Sequence, residues 1–183
     1  MKSMVLMIGI SLLIVVGYYA GRAFYLKPRL VQGQKAAEIS GQLSDGTPFA
    51  LSALKGKYVL LDFWGTWCGP CLQSHPALVN IYQQFHGQKF EDASDFEIVS
   101  VAVENSNRNW QRIINEDLLI WPYHLLALNL FDSPVVKDYN VKQLPTTFLI
   151  NPKGIIISVD PSLNQVAHIL QSKMQHPDSE KRG

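Results

Sequence analysis

The stretch that most constrains this chain runs from Tyr58 to Phe85, YVLLDFWGTWCGPCLQSHPALVNIYQQF. It opens on a short apolar run, Tyr58 to Trp64, interrupted only by Asp62. A tight Gly65-Thr66-Trp67 connection follows, and then both cysteines of the protein stand together as Cys68-Gly69-Pro70-Cys71. After them Leu78, Ile81, Tyr82 and Phe85 recur at the spacing of one apolar helix face. The spacing therefore predicts a strand, a short loop and a helix, with a Cys-x-x-Cys pair at the helix N-terminus. Pro76 lies inside that helix, where it removes a backbone donor and should kink it without ending it.

The remaining chain must support that unit. Its 183 residues, 47% of them hydrophobic, suit one domain with its own core plus an appendage. A net charge of +1, with no basic run, gives no electrostatic reason to expect a nucleic-acid partner. The appendage is at the start: Met4 to Ala20 holds no charged residue and is flanked by Lys2, Arg22, Lys27 and Arg29. Residues 1–25 read as a single membrane helix, with Tyr18 and Tyr19 fitting an interfacial belt, or alternatively as a cleaved signal segment. Three basic residues on the C-terminal side against one on the other would, by charge alone, turn the domain to the cytoplasm. Residues 26–35, with Pro28 and Gly33, read as a linker, 36–175 as the domain, and 176–183 as a disordered polar tail.

Within the domain, Ser44 to Pro48 is a turn between two short strands, and Ser52 to Lys57 a single helical turn. Phe96 to Val103 is a buried strand, and Asn107 to Glu116 carries Trp110, Ile113 and Ile114 at helical spacing. The segment Asn105 to Asp138 is a variable insert, with a short strand at Tyr123 to Leu126, and Pro134 to Tyr139 is a short helix. Leu144 to Ile150 is a strand with Pro145 at its start; Asn151 to Gly154 turns it into Ile155 to Val159. Asp160-Pro161 is expected to cap a closing helix whose stripe is Leu163, Val166, Ala167, Leu170 and Met174. Strands alternating with helices and then a hairpin imply an α/β class with a mixed sheet flanked by helices.

A thiol at a helix N-terminus meets the positive end of the macrodipole and free backbone N–H groups, which stabilise its thiolate. Cys68 should thus be the exposed, attacking sulfur, and Cys71, one turn on and facing inward, the one that resolves a mixed disulfide. Other uses of two cysteines compete. A zinc site lacks a second cysteine pair, with only His75 nearby. Haem attachment needs histidine where Leu72 stands. A copper carrier built on the two thiolates stays open, and a purely structural disulfide closes too short a loop to stabilise much. A peroxiredoxin is disfavoured because no threonine precedes either cysteine by three. Asp62 is either a carboxylate facing water or, as its apolar strand suggests, a desolvated acid able to take the proton of Cys71. His75, as a lone histidine beside a helix, is expected to be solvated, and Trp64 to be core.

Asp62-Phe63-Trp64-Gly65-Thr66-Trp67-Cys68-Gly69-Pro70-Cys71, with Leu144-Pro145-Thr146-Thr147-Phe148 downstream, resembles the thioredoxin superfamily. More narrowly it is similar to the TlpA/ResA-like branch of membrane-anchored thiol-disulfide oxidoreductases. The resemblance spans Ala36 to Gln175 and implies a thioredoxin-like fold working through a redox-active Cys68–Cys71 disulfide, with no further cofactor and no metal. It implies that Asp62 moves the Cys71 proton and that Pro145 follows a cis bond. Trp67, Gly69, Pro70, Leu144 and Pro145 would then form the edge on which an extended substrate docks. It further implies cysteine-containing protein substrates, as in cytochrome c maturation, a membrane thiol electron donor, and an extracytoplasmic (periplasmic) domain on the bacterial cytoplasmic membrane, against the charge count. Net reduction is the expected direction; oxidase or isomerase activity is the alternative. The branch often carries glutamate three residues after the second cysteine, where this chain has Ser74, so no role of that acid carries over.

Overall fold

The computed structural model describes residues 2–26 and 32–175. The linker expectation falls partly, and the tail wholly, outside them. Helix α1, Lys2–Leu26, forms over the charge-free run, and its side chains from Met7 to Arg22 are all exposed. Among the described residues no helix is long and apolar enough to cross a membrane.

The domain engages the chain slightly before Ala36. Gly33 N–H donates to Ile156 O at 2.8 Å, and Lys35 bridges to Ile155. Strands β1 (Ser40–Gln42) and β2 (Pro48–Ala50) form a small hairpin, followed by a 3-10 turn at Leu51–Leu54. Next come β3 (Tyr58–Trp64), α2 (Gly69–Phe85), β4 (Phe96–Glu104), α3 (Trp110–Glu116), β5 (Tyr123–Leu128) and the short α4 (Pro134–Asp138). Strands β6 (Thr146–Ile150) and β7 (Ile156–Val159) and helix α5 (Leu163–Gln171) close the chain. The main sheet runs β5-β4-β3-β6-β7, with β3, β4 and β5 parallel and β6 and β7 antiparallel. The so-called insert thus supplies an edge strand rather than a detour.

Strand alternation divides the core. Tyr58, Leu60 and Trp64 point to the face covered by α2 and α5, with Ile98, Ala102 and Leu149. Val59, Leu61 and Phe63 point to the other, with Val101, Tyr139 and Phe148 under the small hairpin and α4. Pro76 is accommodated inside a continuous α2, because its position turns outward and the apolar face of Cys71, Leu78, Tyr82 and Phe85 stays buried.

One expected boundary shifts. The cap of α5 is Ser162, not Asp160: its Oγ accepts from Gln165 N while Gln165 Oε1 accepts from Ser162 N. This reciprocal pair satisfies two orphan donors at once and outcompetes a lone aspartate two residues earlier. Asp160 instead sits at φ +47 and holds Thr147, accepting from its N–H at 2.8 Å. The helix also stops at Gln171, and Met174 pairs with Phe90 in an isolated bridge.

Sheet order places the site. From β3 the chain moves outward to β4 on one side and later returns to β6 on the other. The carboxyl end of β3 is therefore the point where the strand order reverses, the usual place for chemistry in open α/β sheets. Register sets Phe63 opposite Thr146, so the residue before β6, Pro145, lies beside the end of β3.

Candidate active site

Cys68 is the N-cap of α2, and its Sγ accepts from Cys71 N–H at 3.3 Å. The two sulfurs are bonded to each other, with Cα atoms 5.3 Å apart. Cys68 is 5% exposed and Cys71 1%. The expectation of an exposed Cys68 is therefore corrected for the oxidised form, in which the sulfur is tied to Cys71 over the helix start. Gly69 and Pro70 are exposed beside it.

The loop that presents the cysteines is held by β4. Glu104, at the end of that strand, accepts from Thr66 N–H at 2.5 Å and from Thr66 Oγ1 at 3.1 Å. Trp67 is 51% exposed, yet its Nε1 donates to Val103 O at 2.9 Å and its ring meets Phe131 edge-on. Gly65 makes that pose possible, since a Cβ there would lie 2.9 Å from Trp67 Nε1 and 3.1 Å from the Val103 carbonyl. A backbone carbonyl cannot step aside, so the indole would have to leave. Gly65→Ala is expected to break the Trp67–Val103 bond and destabilise the domain by about 1–3 kcal/mol, read as a lower midpoint of chemical unfolding.

Asp62 is 3% exposed, which overturns the solvent-facing alternative. It faces the α2 side of the sheet, between Leu60 and Trp64. Burial pushes its carboxyl up to about 7, only partly offset by the Ser100 hydroxyl, which donates to Oδ2 at 3.5 Å. Asp62 lines a cleft of about 400 Å³ with Ser74, Leu78, Pro145, Thr147 and Asp160. Burial raises Asp160 as well, although the Thr147 N–H works against the shift. The Leu144–Pro145 bond is cis, as the resemblance implied; Pro145 is exposed and Leu144 half-buried. Ser74 does not replace the missing acid, for its hydroxyl donates to Cys71 O at 2.7 Å within its own helix.

His75 corrects the sequence reading. It is 1% exposed, its Nδ1 lies 2.6 Å from Asp117 Oδ2, and its ring stands edge-on to the buried Trp64. The helical period carried the signal: His75 is four residues after Cys71, hence on the buried face of α2. Glu104, Asp117 and Asp160 had no comparable signal, because each acts through a tertiary neighbour. Among the described residues, His86, Asp95 and Glu97 also converge, at the opposite end of β3 and β4, but Lys57 Nζ already meets both carboxylates.

A family model described as thioredoxin-like matches residues 56–156. The thiol-disulfide oxidoreductase ResA of Bacillus subtilis is 35% identical over 154 residues, covering 82% of this chain and 80% of that protein. The thioredoxin-like protein YneN of the same organism is 31% identical, covering 81% and 84%. Among solved structures, the thioredoxin domain of a thiol-disulfide oxidoreductase from Bacteroides vulgatus superposes with a TM-score of 0.65 at 29% identity, over 77% of this chain and 99% of that one. Together with a Cys-x-x-Cys disulfide at the start of α2 and a cis-proline beside it, these likenesses decide the matter: the chain belongs to the thioredoxin-like family and is a thiol-disulfide oxidoreductase.

Proposed function

We propose that this oxidoreductase reduces disulfides in cysteine-containing proteins on the extracytoplasmic side of a bacterial membrane, tethered there by α1. The observation that carries the reductive direction is the Gly69-Pro70 pair between the cysteines, the dipeptide of thioredoxin, which is strongly reducing. Cys68 as thiolate attacks one sulfur of the substrate disulfide, forming a mixed disulfide and releasing the other sulfur as a thiolate. Asp62 takes the proton of Cys71, whose sulfur then attacks Cys68 Sγ. The Cys68–Cys71 bond forms, the bond to substrate breaks, and two electrons have passed to the substrate. The exposed Pro145, Trp67, Gly69 and Pro70, with Leu144 behind them, form the edge along which an extended segment lies.

In an oxidising compartment the spent disulfide needs a membrane thiol protein as donor, and an apocytochrome c is a fitting acceptor chemistry because it must present reduced cysteines. The membrane reading rests on the charge-free Met4 to Ala20 run and on the apolar side chains that α1 exposes, Leu12, Leu13 and Ile14 among them. The Cys71→Ser variant tests the function, because it stalls after the first attack. Thiol trapping in cells should collect partners as mixed disulfides on Cys68; an empty trap sinks the reading. A reporter fused after Gly183 should be active only outside the cytoplasm, and a reduction potential far above that of thioredoxin would instead indicate an oxidase.

A further inference from the structure

The end of the sheet away from the cysteines carries a second polar feature. Ile156 lies level with Ile150, and Ile150 with Val59, so β7 and β3 both start at that end. Three exposed lysines meet there on three adjoining segments. Lys35 bridges to Ile155, and Lys153 stands in the β6–β7 turn. Lys55 belongs to the turn whose Gly56 N–H donates to Pro152 O at 2.9 Å. Lys35 and Lys55 line one cavity of about 60 Å³ together with Asn151 and Gly154, which flank Pro152 and Lys153. Among the described residues no ion pair engages these three ammonium groups. Lys57 lines the cavity too, but its charge is taken up by Asp95 and Glu97. The one acid on the wall, Glu38, accepts from Ser52 N–H at 3.0 Å.

The same end is where the chain arrives from α1. Gly33 N–H donates to Ile156 O and Ile156 N–H to Gln34 O, both at 2.8 Å, which pins the polypeptide beside β7. From Leu26, where α1 ends, Gly33 is seven residue steps away, a span of at most about 25 Å. With α1 in a membrane, this end of the domain stays close to the headgroup layer. Lys27 and Arg29 lie within those seven steps and add two positive charges to the approach. Around the cysteines stand carboxyls instead, those of Asp62, Glu104 and Asp160. The five strand steps from Val59 to Trp64 hold the two ends about 17 Å apart.

We propose that Lys35, Lys55 and Lys153, joined by Lys27 and Arg29, form a docking surface for anionic phospholipid, with a headgroup phosphate at the mouth of the Lys35–Lys55 cavity. This rests on α1 being the membrane tether. Basic clusters beside a membrane helix are drawn to anionic headgroups, and the attraction acts within a Debye length. The tether keeps the lysines within that reach at high effective concentration, so individually weak contacts suffice. Docked in this way, β3 points its carboxyl end, and Cys68 with it, away from the bilayer and toward soluble clients. Meeting a donor embedded in the membrane requires the domain to lift these lysines off and turn over. Lipid charge therefore sets how long the domain stays facing its substrates. Lys27 and Arg29, which by charge count oppose an extracytoplasmic domain, are then held at the headgroups of that side.

The test uses the full-length protein in lipid nanodiscs of phosphatidylcholine alone or mixed with phosphatidylglycerol. Brief acetylation followed by mass spectrometry reports each lysine. Phosphatidylglycerol should slow the labelling of Lys35, Lys55 and Lys153 about fivefold and leave Lys137 on α4 unchanged. At about 1 M salt, where the screening length is about 3 Å, the difference should vanish. Equal labelling in the two kinds of disc, or slowing of Lys137 as much as of the three, overturns the proposal. Lys55→Glu combined with Lys153→Glu replaces two exposed side chains outside any ion pair and should leave the unfolding midpoint in place. It should return Lys35 to its rate in neutral discs; undiminished protection of Lys35 overturns the proposal as well. Glycerophosphate added to neutral discs should protect none of the three, and protection there would make the site one for a soluble anion, against the proposal. The tether reading fails separately. A chain that elutes apart from both kinds of disc removes α1 as an anchor and the docking with it, whereas one that stays with the discs but labels alike removes the docking alone.

Discussion

Cys68→Ser is expected to reduce disulfide reductase activity to background while leaving the fold in place. Serine keeps an oxygen at the N-cap, able to accept from Cys71 N–H as Sγ does, so the start of α2 retains its cap. What disappears is the nucleophile. A hydroxyl at this position has none of the thiol's readiness to ionise near neutral pH, and no adjacent base contacts it. Cys71, one turn further along α2 and on its buried face, is not expected to substitute. The contrast with Cys71→Ser is the informative part. That variant should still attack, with insulin turbidity lost but one equivalent of mixed disulfide formed, whereas Cys68→Ser should form none. Mixed disulfide accumulating on Cys71 in the Cys68→Ser protein would reverse the assignment of the two sulfurs. Unfolding midpoints of Cys68→Ser and the reduced wild type should agree closely, which separates lost chemistry from lost structure.

The distribution of what the sequence showed follows from the range of each interaction. Tyr58 to Phe85 was legible because strand, loop and helix signals are local. The β6–β7 turn was legible for the same reason: Asn151 Oδ1 accepts from Lys153 N and Ile155 N, and Gly154 takes φ +78. The short helix Pro134–Asp138 announced itself by its proline. The cap of α5 was misplaced because Asp160 and Ser162 are both good caps, and the choice depended on Gln165 and on Thr147, a residue of another strand. His75 was read as solvated although its spacing from Cys71 already put it on the buried face of α2. Asp62 stood out as the one polar residue of its strand, but its neighbours across the sheet did not: Ser100 and His124 lie 38 and 62 residues further on, and only the parallel register sets them beside it. Glu104 is similar: it reads as the polar end of a strand until Thr66 is found bonded to it.

Asp62→Asn should make the protein more stable and less active, with both effects set by pH. In the folded state the carboxyl is held near 7 by burial, against an ordinary value of 3.8. Folding therefore favours the protonated form. Below about pH 4 the group is protonated in both states and imposes no penalty. As pH rises toward 7 the unfolded chain gains by ionising while the folded one does not, and stability falls, levelling off above the folded value. Asparagine, close in size and uncharged, removes this loss, so the variant should gain up to about 4 kcal/mol at pH 8 and little at pH 4. Activity runs the other way. The wild-type resolving step should rise as pH passes through about 7 and Asp62 becomes able to accept the Cys71 proton. In Asp62→Asn that rise should be displaced upward, toward the range where a buried thiol ionises unaided, above roughly 8.5. At pH 7 the loss should be about 100-fold, the low end for a missing general base. Rapid-mixing measurement of substrate release from a preformed mixed disulfide isolates this step. A profile unchanged by the substitution would remove Asp62 from the mechanism, whereas stabilisation without a displaced profile would leave it a buried acid with no part in the transfer.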